Sequence, residues 1–421
     1  MSEGAPPPGY IQLLRRNRSF RRLWLGQVVS QLGDWLDYVA LVTLLLSLTH
    51  SGTAIAGMLV ARFLPTFFAS PIAGVVVDRF DRKRIMVTAD LIRAVLVLGL
   101  LLVHRPDQVW FAYAIVASVV SMAAFFEPAR TASIANVTAP EELLTANALG
   151  AITRSVRLTA GAGIGGLLTA IAGSRTAFVL DAASFACSAW LIGGIVMPPR
   201  ARPAATRVGL FALLGVTDLV DGARYLRRHP PIATLVVVKA GWSLAAGGLI
   251  LLHTIFGERI YPVWGSAAAG IGVLATTRGV GTALGPVVAR RLGGDTPRAM
   301  ARAIGVGFLI AGVLYVGFAS AMTLPLALLT LAAAHMGGST VWVFSTTLLQ
   351  RNVPDAFRGR VFATELALLT LGFTISNLVA GWALDTAGIA PRTLAALLGT
   401  FTFVPGAAWI ALQSRPRFRF T

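Results

Sequence analysis

The sequence predicts an all-α membrane protein of twelve transmembrane helices, arranged as two pseudo-symmetric six-helix bundles. Three observations carry that prediction. Hydrophobic residues make up 56% of the 421 and charged residues only 13%, against about a quarter charged in a soluble globular chain. The mean hydropathy is +0.73. The apolar residues also gather in runs long enough to cross a bilayer, which takes about 20 residues, and short basic segments break those runs.

The runs fall at 23–48, 54–77, 85–103, 108–136, 143–172, 176–197, 231–256, 266–289, 301–319, 323–350, 361–386 and 392–413. An even number of crossings puts both termini on one side. Arginine-rich segments alternate with arginine-poor ones along the whole chain. Arg15, Arg16, Arg18, Arg21 and Arg22 lead it, Arg290, Arg291, Arg298 and Arg302 lie between spans eight and nine, and Arg415, Arg417 and Arg419 end it. The positive-inside rule then places both termini in the cytoplasm and the protein in the inner (plasma) membrane. The chain divides into an N-tail (1–22), a first bundle (23–197), a linker (198–230), a second bundle (231–413) and a C-tail (414–421). Within the linker, Thr217 to Arg228 reads as an amphipathic helix with its acids early and its arginines late, matching the helix dipole.

The two bundles read as repeats. Gly57-Met58-Leu59 is echoed by Gly272-Val273-Leu274, Pro71 by Pro286, and Gly166 and Gly173 by Gly381 and Gly388. Duplicated halves of this kind suit a transporter that rocks about a central site. The net charge of +18 comes almost wholly from arginine. Those arginines sit at the ends of apolar runs, so nucleic acid is not an expected partner. Cys187 is the only cysteine, which excludes an intrachain disulfide and reads as a small core residue. No removable signal peptide is expected from the Arg-rich first residues.

Between spans two and three the chain reads Gly74-Val-Val-Val-Asp78-Arg79-Phe-Asp-Arg82-Lys-Arg84, with six charges in the seven residues from Asp78. This Gly-x-x-x-Asp-Arg-x-x-Arg-Lys spacing resembles the loop signature of the major facilitator superfamily. Further stretches resemble its branch of macrolide-efflux and enterobactin-exporter-like proteins, a branch of drug:proton antiporters. They are Asn17 to Gln27, Leu32-Gly33-Asp34-Trp35-Leu36, Phe126-Glu127-Pro128-Ala129-Arg130, and Gln350 to Pro354 followed by Arg358 to Phe362. The resemblance implies that Gly74, Asp78, Arg79 and Arg82 form a conformational latch, with Gly74 permitting close approach to span eleven. One departure stands out. Where antiporters of the superfamily carry Gly-Pro-x-x-Gly-Gly in span five, this chain has Gly161-Ala162-Gly163-Ile164-Gly165-Gly166, without the kink that proline supplies.

Ionisable groups inside spans cost about 2.5–3.5 kcal/mol each on insertion scales, so they face protein or water. Asp34 and Asp37 lie three apart on one helix face, and two carboxylates sharing a cavity suit proton coupling. Asp34 is the first candidate, with Asp37 and then Glu127 behind it. The alternative for Asp34 is a packing role, bonded to backbone or to Arg62. Arg62 and Arg278 fall at roughly corresponding places in spans two and eight. They either neutralise acids such as Asp34 or Asp181, the favoured reading, or bind an anionic cargo. Asp90, Arg93, Arg130, Arg154 and Arg157 read with Glu127 as an inner charge network beside the 74–84 loop. Tyr38, Phe126, Trp242 and Trp342, with the two arginines, are the candidates for lining a substrate cavity.

No phosphate-cradling Gly-Lys-Ser/Thr loop, serine elbow or His-Glu-x-x-His motif is present, and the five histidines are scattered. An enzyme is therefore not expected, nor a cofactor or metal. With the resemblance, the expectation is a monomeric, proton-coupled secondary exporter of amphipathic drug-like small molecules, its partners being lipid bilayer, cargo and protons. Two alternatives stay open. One is an exporter of an anionic siderophore- or lipid-like metabolite, the other an uncoupled lipid scramblase or sensor on the same scaffold.

Overall fold

A computed structural model describes residues 9–197, 216–294, 296–418 and 420. Fourteen α-helices follow in order: α1 (Tyr10–Arg16), α2 (Arg18–Thr49), α3 (Gly52–Arg79), α4 (Arg82–Leu98), α5 (Val109–Val137), α6 (Leu143–Gly193), α7 (Val216–Arg228), α8 (Pro230–Ile255), α9 (Ala267–Gly293), α10 (Pro297–Ser320), α11 (Leu324–Asn352), α12 (Asp355–Asp385), α13 (Pro391–Phe401) and α14 (Phe403–Gln413). Among the described residues the only β pairing is an isolated bridge between Val263 and Ser266. Side-chain caps mark where helices begin. Asn17, Ser51, Asp81, Ser266 and Thr296 each accept a hydrogen bond from the backbone three residues on, satisfying an N–H that the first turn leaves free.

Eleven helical segments are long and apolar enough to cross a membrane. One of them, α6, counts twice. Its backbone leaves helical geometry at Gly173 (φ 79°), a left-handed conformation that glycine adopts without steric cost. Before that break Trp24 of α2 bonds Thr153 and Trp35 packs on Gly161 and Gly165. After it, Gly33 packs on Asp181 and Ser184, and Arg22 bonds the carbonyl of Gly194. Residues 143–172 thus run alongside α2 and 174–193 run back against it, which makes twelve crossings. Gly388, the repeat partner of Gly173, also has positive φ (64°).

Among the described residues, a shared apolar core joins the two halves at one end only. At the end away from the Arg79–Arg82 turn, one continuous apolar core includes Leu41, Leu45 and Ile55 of the first half with Leu252, Phe256 and Ala380 of the second. At the other end, here called the basic end, each half has its own core. One is built on Phe20, Met86 and Phe126, the other on Leu235, Phe308 and Trp409. The chain is therefore open between its halves at the basic end and shut at the far end.

Several tail and linker expectations change in detail. Part of the linker, residues 198–215, lies outside the described residues. The helix α7 is amphipathic and docks on the second half, with Tyr225 stacked on Phe357 at 4.9 Å and Gly222 against the Arg360 carbonyl. The N-tail contains a short helix, α1, whose Leu13 is fully buried. Cys187 is exposed rather than in the core, on the side of α6 turned away from α2.

Candidate functional site

The first half gathers carboxyl groups around one guanidinium. Arg93 of α4 bonds Asp34 of α2 at 2.6 Å and Asp90, one turn earlier, at 3.3 Å, and lies over the Phe185 ring at 3.8 Å. The expected partner of Asp34 was Arg62 on α3, and the structure supplies Arg93 instead. Arg62 stacks on Tyr38, 5.0 Å from the ring centre, and Tyr38 meets Trp35 edge-on. Asp37 and Asp181 are buried beside this pair, Asp181 accepting from Ser184 at 3.2 Å. Asp34, Asp37 and Asp181 lie within electrostatic reach of one another.

Local sequence explains the crowding. Asp34 and Asp37 are one helical turn apart, and Gly33 lets α6 bring Asp181 and Ser184 against the α2 backbone. Four carboxyl groups then share Arg93 and, at most, Arg62. Asp37 Oδ1 is buried with no hydrogen-bond partner among the described residues, while Asp90 has the Ser188 hydroxyl beside it. A buried oxygen without a donor is costly as an anion, and a carboxyl group there has room for a proton.

The inner charge network divides in two. Arg93 and Asp90 belong to the cluster just described, whereas Arg130 bonds Glu127 (2.9 Å) and Gln27 (2.9 Å), and Gln31 donates to Glu127 (3.2 Å). That second group lies toward the basic end, and the Glu127 side chain is 46% exposed. Arg157 is half-buried on α6, and the Arg154 and Asp78 side chains lie outside the described residues. Arg82 ties the 79–82 turn to α5 through the Ala132 carbonyl (2.9 Å) and Asn136 (3.1 Å), and Arg79 is exposed. The approach of Gly74 to span eleven is absent in this conformation. Among the described residues nothing lies within 4 Å of a Cβ placed there, because the halves are apart at the basic end.

In the second half, Lys239 of α8 bonds Glu365 of α12 at 2.6 Å and Thr346 of α11 at 2.8 Å, with both charged side chains almost fully buried. Its ammonium lies 4.1 Å from the centre of the Trp342 ring. From Trp342 an aromatic series runs through Trp242 (5.8 Å) and Phe373 (5.9 Å) to Phe63 of the first half (5.5 Å). Trp342 is 40% exposed, so Trp242 and Trp342 border the space between the halves. Phe126 does not. It is 2% exposed inside the first half's basic-end core.

Lys239 and Glu365 both lie inside apolar runs, and nothing in their spacing pairs them. The histidines are scattered along the chain, yet His253 and His335 come together, ring centres 5.3 Å apart, with Tyr315 bonding His335 at 3.1 Å. Arg278 is the charged neighbour of that group. Packing of α8, α10 and α11 brings these residues together, and no local pattern announces it.

The span-five glycines serve two neighbours. Gly161 and Gly165 pack on Trp35, while Gly163 faces Thr276 and Gly166 faces Ala268 and Gly272 of α9. They allow backbone contact on both sides of α6 without the missing proline.

A family model described as Major Facilitator Superfamily matches residues 23–364. An uncharacterized MFS-type transporter, YfiS, of Bacillus subtilis (strain 168) is 26% identical over 388 residues, covering 88% of each chain. The multidrug efflux pump Tap of Mycolicibacterium fortuitum is 27% identical over 416 residues, 91% of this chain and 95% of its own. A solved structure of an auto-inhibited POT family peptide transporter superposes with a TM-score of 0.74 at 14% identity, over 96% of this chain and 98% of that one. That last likeness is one of fold.

Proposed function

Because this chain belongs to the Major Facilitator Superfamily, we propose that it is a secondary active exporter of amphipathic drug-like molecules, coupled to protons and working by alternating access. The observation that carries the reading is the group of four buried or half-buried carboxyls, Asp34, Asp37, Asp90 and Asp181, around the single bonded guanidinium of Arg93. An intramembrane group with more acids than cations is balanced only when it holds protons.

On this reading Asp37 comes before Asp34. The charge of Asp34 is matched by Arg93, so Asp37, with an oxygen lacking a described donor, is the better proton carrier. Glu127 is bonded to Arg130 near the basic end and serves as an entry group for protons. The positive-inside rule sets the basic end in the cytoplasm, so the conformation described is open inward in a cell membrane. Cargo then enters between the halves and meets Trp342, Trp242, Tyr38 and Arg62. The description of Tap as a multidrug efflux pump supports export of drug-like cargo.

The 74–84 turn acts as the inward latch in the opposite conformation. Asp78→Asn is expected to slow transport severalfold with insertion and expression unchanged, and cargo flux at normal rates would reduce the turn to a topology signal. A second reading, an anionic cargo, is favoured by Arg62, which lies on the Tyr38 ring and forms no salt bridge among the described residues, acting on Asp37 only from a longer distance.

Proteoliposomes with an imposed pH difference test both readings, using ethidium as a cationic and nalidixic acid as an anionic probe. One-for-one exchange of a proton for a monovalent cation is electroneutral and supports about tenfold accumulation per pH unit. Exchange for an anion moves charge, so that arm is run with the membrane potential clamped and read against protein-free liposomes. Accumulation of either probe only with the gradient sustains coupling and names the charge class. Equal flux with and without it leaves an uncoupled carrier or scramblase, and no flux of either leaves a sensor.

A further inference from the structure

The far ends of the two halves meet along two seams that the internal repeat relates to each other. In one, Gly381 of α12 faces Thr53 and Ala56 of α3. In the other, Gly166 of α6 faces Ala268 and Gly272 of α9. Both are close enough that a Cβ on either glycine would lie within about 3 Å of its neighbour. Both receiving helices begin with a serine cap, Ser51 in α3 and Ser266 in α9.

Among the described residues, only the first seam is bonded by a charge. Asp385, the last residue of α12, accepts from the Ser51 hydroxyl (2.5 Å), the Gly52 N–H (2.9 Å) and the Thr53 N–H (2.7 Å). Its carboxylate covers the N-terminus of a helix in the other half, where unpaired N–H groups and the helix dipole favour an anion. The residue in the matching place of the repeat is Ala170, which can accept nothing through its side chain. A second C-half residue grips the same turn, since Arg259 donates to the His50 carbonyl at 2.7 Å. His50 itself is held at φ 50°, in the left-handed region that side chains disfavour.

We propose that Asp385, aided by Arg259, is the far-end gate of the transport cycle and the positioning residue that sets how often the site opens to that side. The two halves must separate there for alternating access, so bonds between them at that end exist in one conformation and are broken in the other. The α3/α12 seam is the latched edge. The α6/α9 seam, glycine against backbone, has no side-chain bond across it among the described residues and acts as the pivot. This inference rests on alternating access alone and is independent of proton coupling and of cargo.

The test is a pair of spin-label distances in nanodiscs, in a Cys187→Ser background. Leu102→Cys with Met322→Cys reports the far end, and Phe80→Cys with Leu292→Cys reports the basic end; all four side chains are exposed. Losing charge-assisted bonds in Asp385→Ala is expected to raise the far-end-open population about tenfold, with the far-end distance lengthening as the basic-end distance shortens. Asp385→Asn should give a smaller shift of the same sign. A merely structural role would broaden both distances without this opposed movement. That outcome, or unchanged distances in a folded variant, overturns the proposal. Should Asp385→Ala fail to fold, Ser51→Ala removes one donor from the other half and is held to the same opposed shift.

Discussion

The two halves share a backbone plan and differ in what they bury. Gly173 and Gly388 both have positive φ, Ser51 and Ser266 cap corresponding helices, and Gly166 and Gly381 make corresponding crossings. Yet the first half surrounds Arg93 with Asp34, Asp90, Asp37 and Asp181, whereas the second closes one lysine on one glutamate. Close backbone approach is demanded by helix packing in both halves, so its glycines persist. Ionisable groups are not needed for packing, so they mark where the chemistry differs. On the proposed reading, the balanced ion pair holds its helices together and the surplus of carboxyls exchanges protons.

Breaking the balanced pair is expected to have the largest effect. Lys239→Met leaves Glu365 buried without its ammonium, at a cost of about 3–5 kcal/mol, while Lys239→Met with Glu365→Leu recovers most of that. Asp34→Asn should cost only about 1–3 kcal/mol, because Arg93 keeps Asp90 and the Phe185 face. Thermal unfolding in detergent measures all three. Equal losses for Lys239→Met and Asp34→Asn would erase the distinction between the halves.

Next in size is a pair of glycines matched by the repeat. At Gly272 a methyl group meets the Ala162 carbonyl and the Gly166 backbone, at 2.9 Å each, across the seam between halves. At Gly57 it meets the Tyr113 ring, 2.8 Å away, and a side chain can shift. Gly272→Ala is expected to cost about 1–3 kcal/mol and Gly57→Ala less than about 1 kcal/mol. The reverse order in unfolding temperature would show that the seam is looser than the ring packing. A similarly small effect is expected at Arg62→Ala, which removes a stacking contact worth about 0.5–2 kcal/mol. A loss as large as that of Lys239→Met would mean that Arg62 neutralises an acid after all.

Much of the fold was legible because hydropathy reports helix length directly, and the break at Gly173 falls between the two apolar runs it was expected to separate. The site was legible only in part. Asp34, Asp37 and Glu127 stand out as charges in apolar runs, but their partners come from other helices, as Arg93 does for Asp34 and Arg130 with Gln27 for Glu127. Phe126 was misplaced because a membrane helix is apolar on its lipid face and its packed face alike, so periodicity does not say which way a phenylalanine points. Asp385 was passed over as the edge of a span. Its task appears only when the start of α3 is brought to it. His253 and His335 converge for the same reason, through helix packing that leaves no trace in spacing.

The central claim is that the carboxyl surplus of the first half carries the proton. Its most direct test is proton efflux from the lumen of pyranine-loaded proteoliposomes on addition of a transported probe outside, comparing wild type, Asp37→Asn and Asp34→Asn. Asparagine keeps size and hydrogen bonding while holding the position neutral. The account predicts that Asp37→Asn abolishes probe-dependent proton movement and gradient-driven accumulation yet still exchanges probe downhill, and that Asp34→Asn retains a reduced proton signal. Wild-type proton release from Asp37→Asn, with accumulation intact, would contradict it.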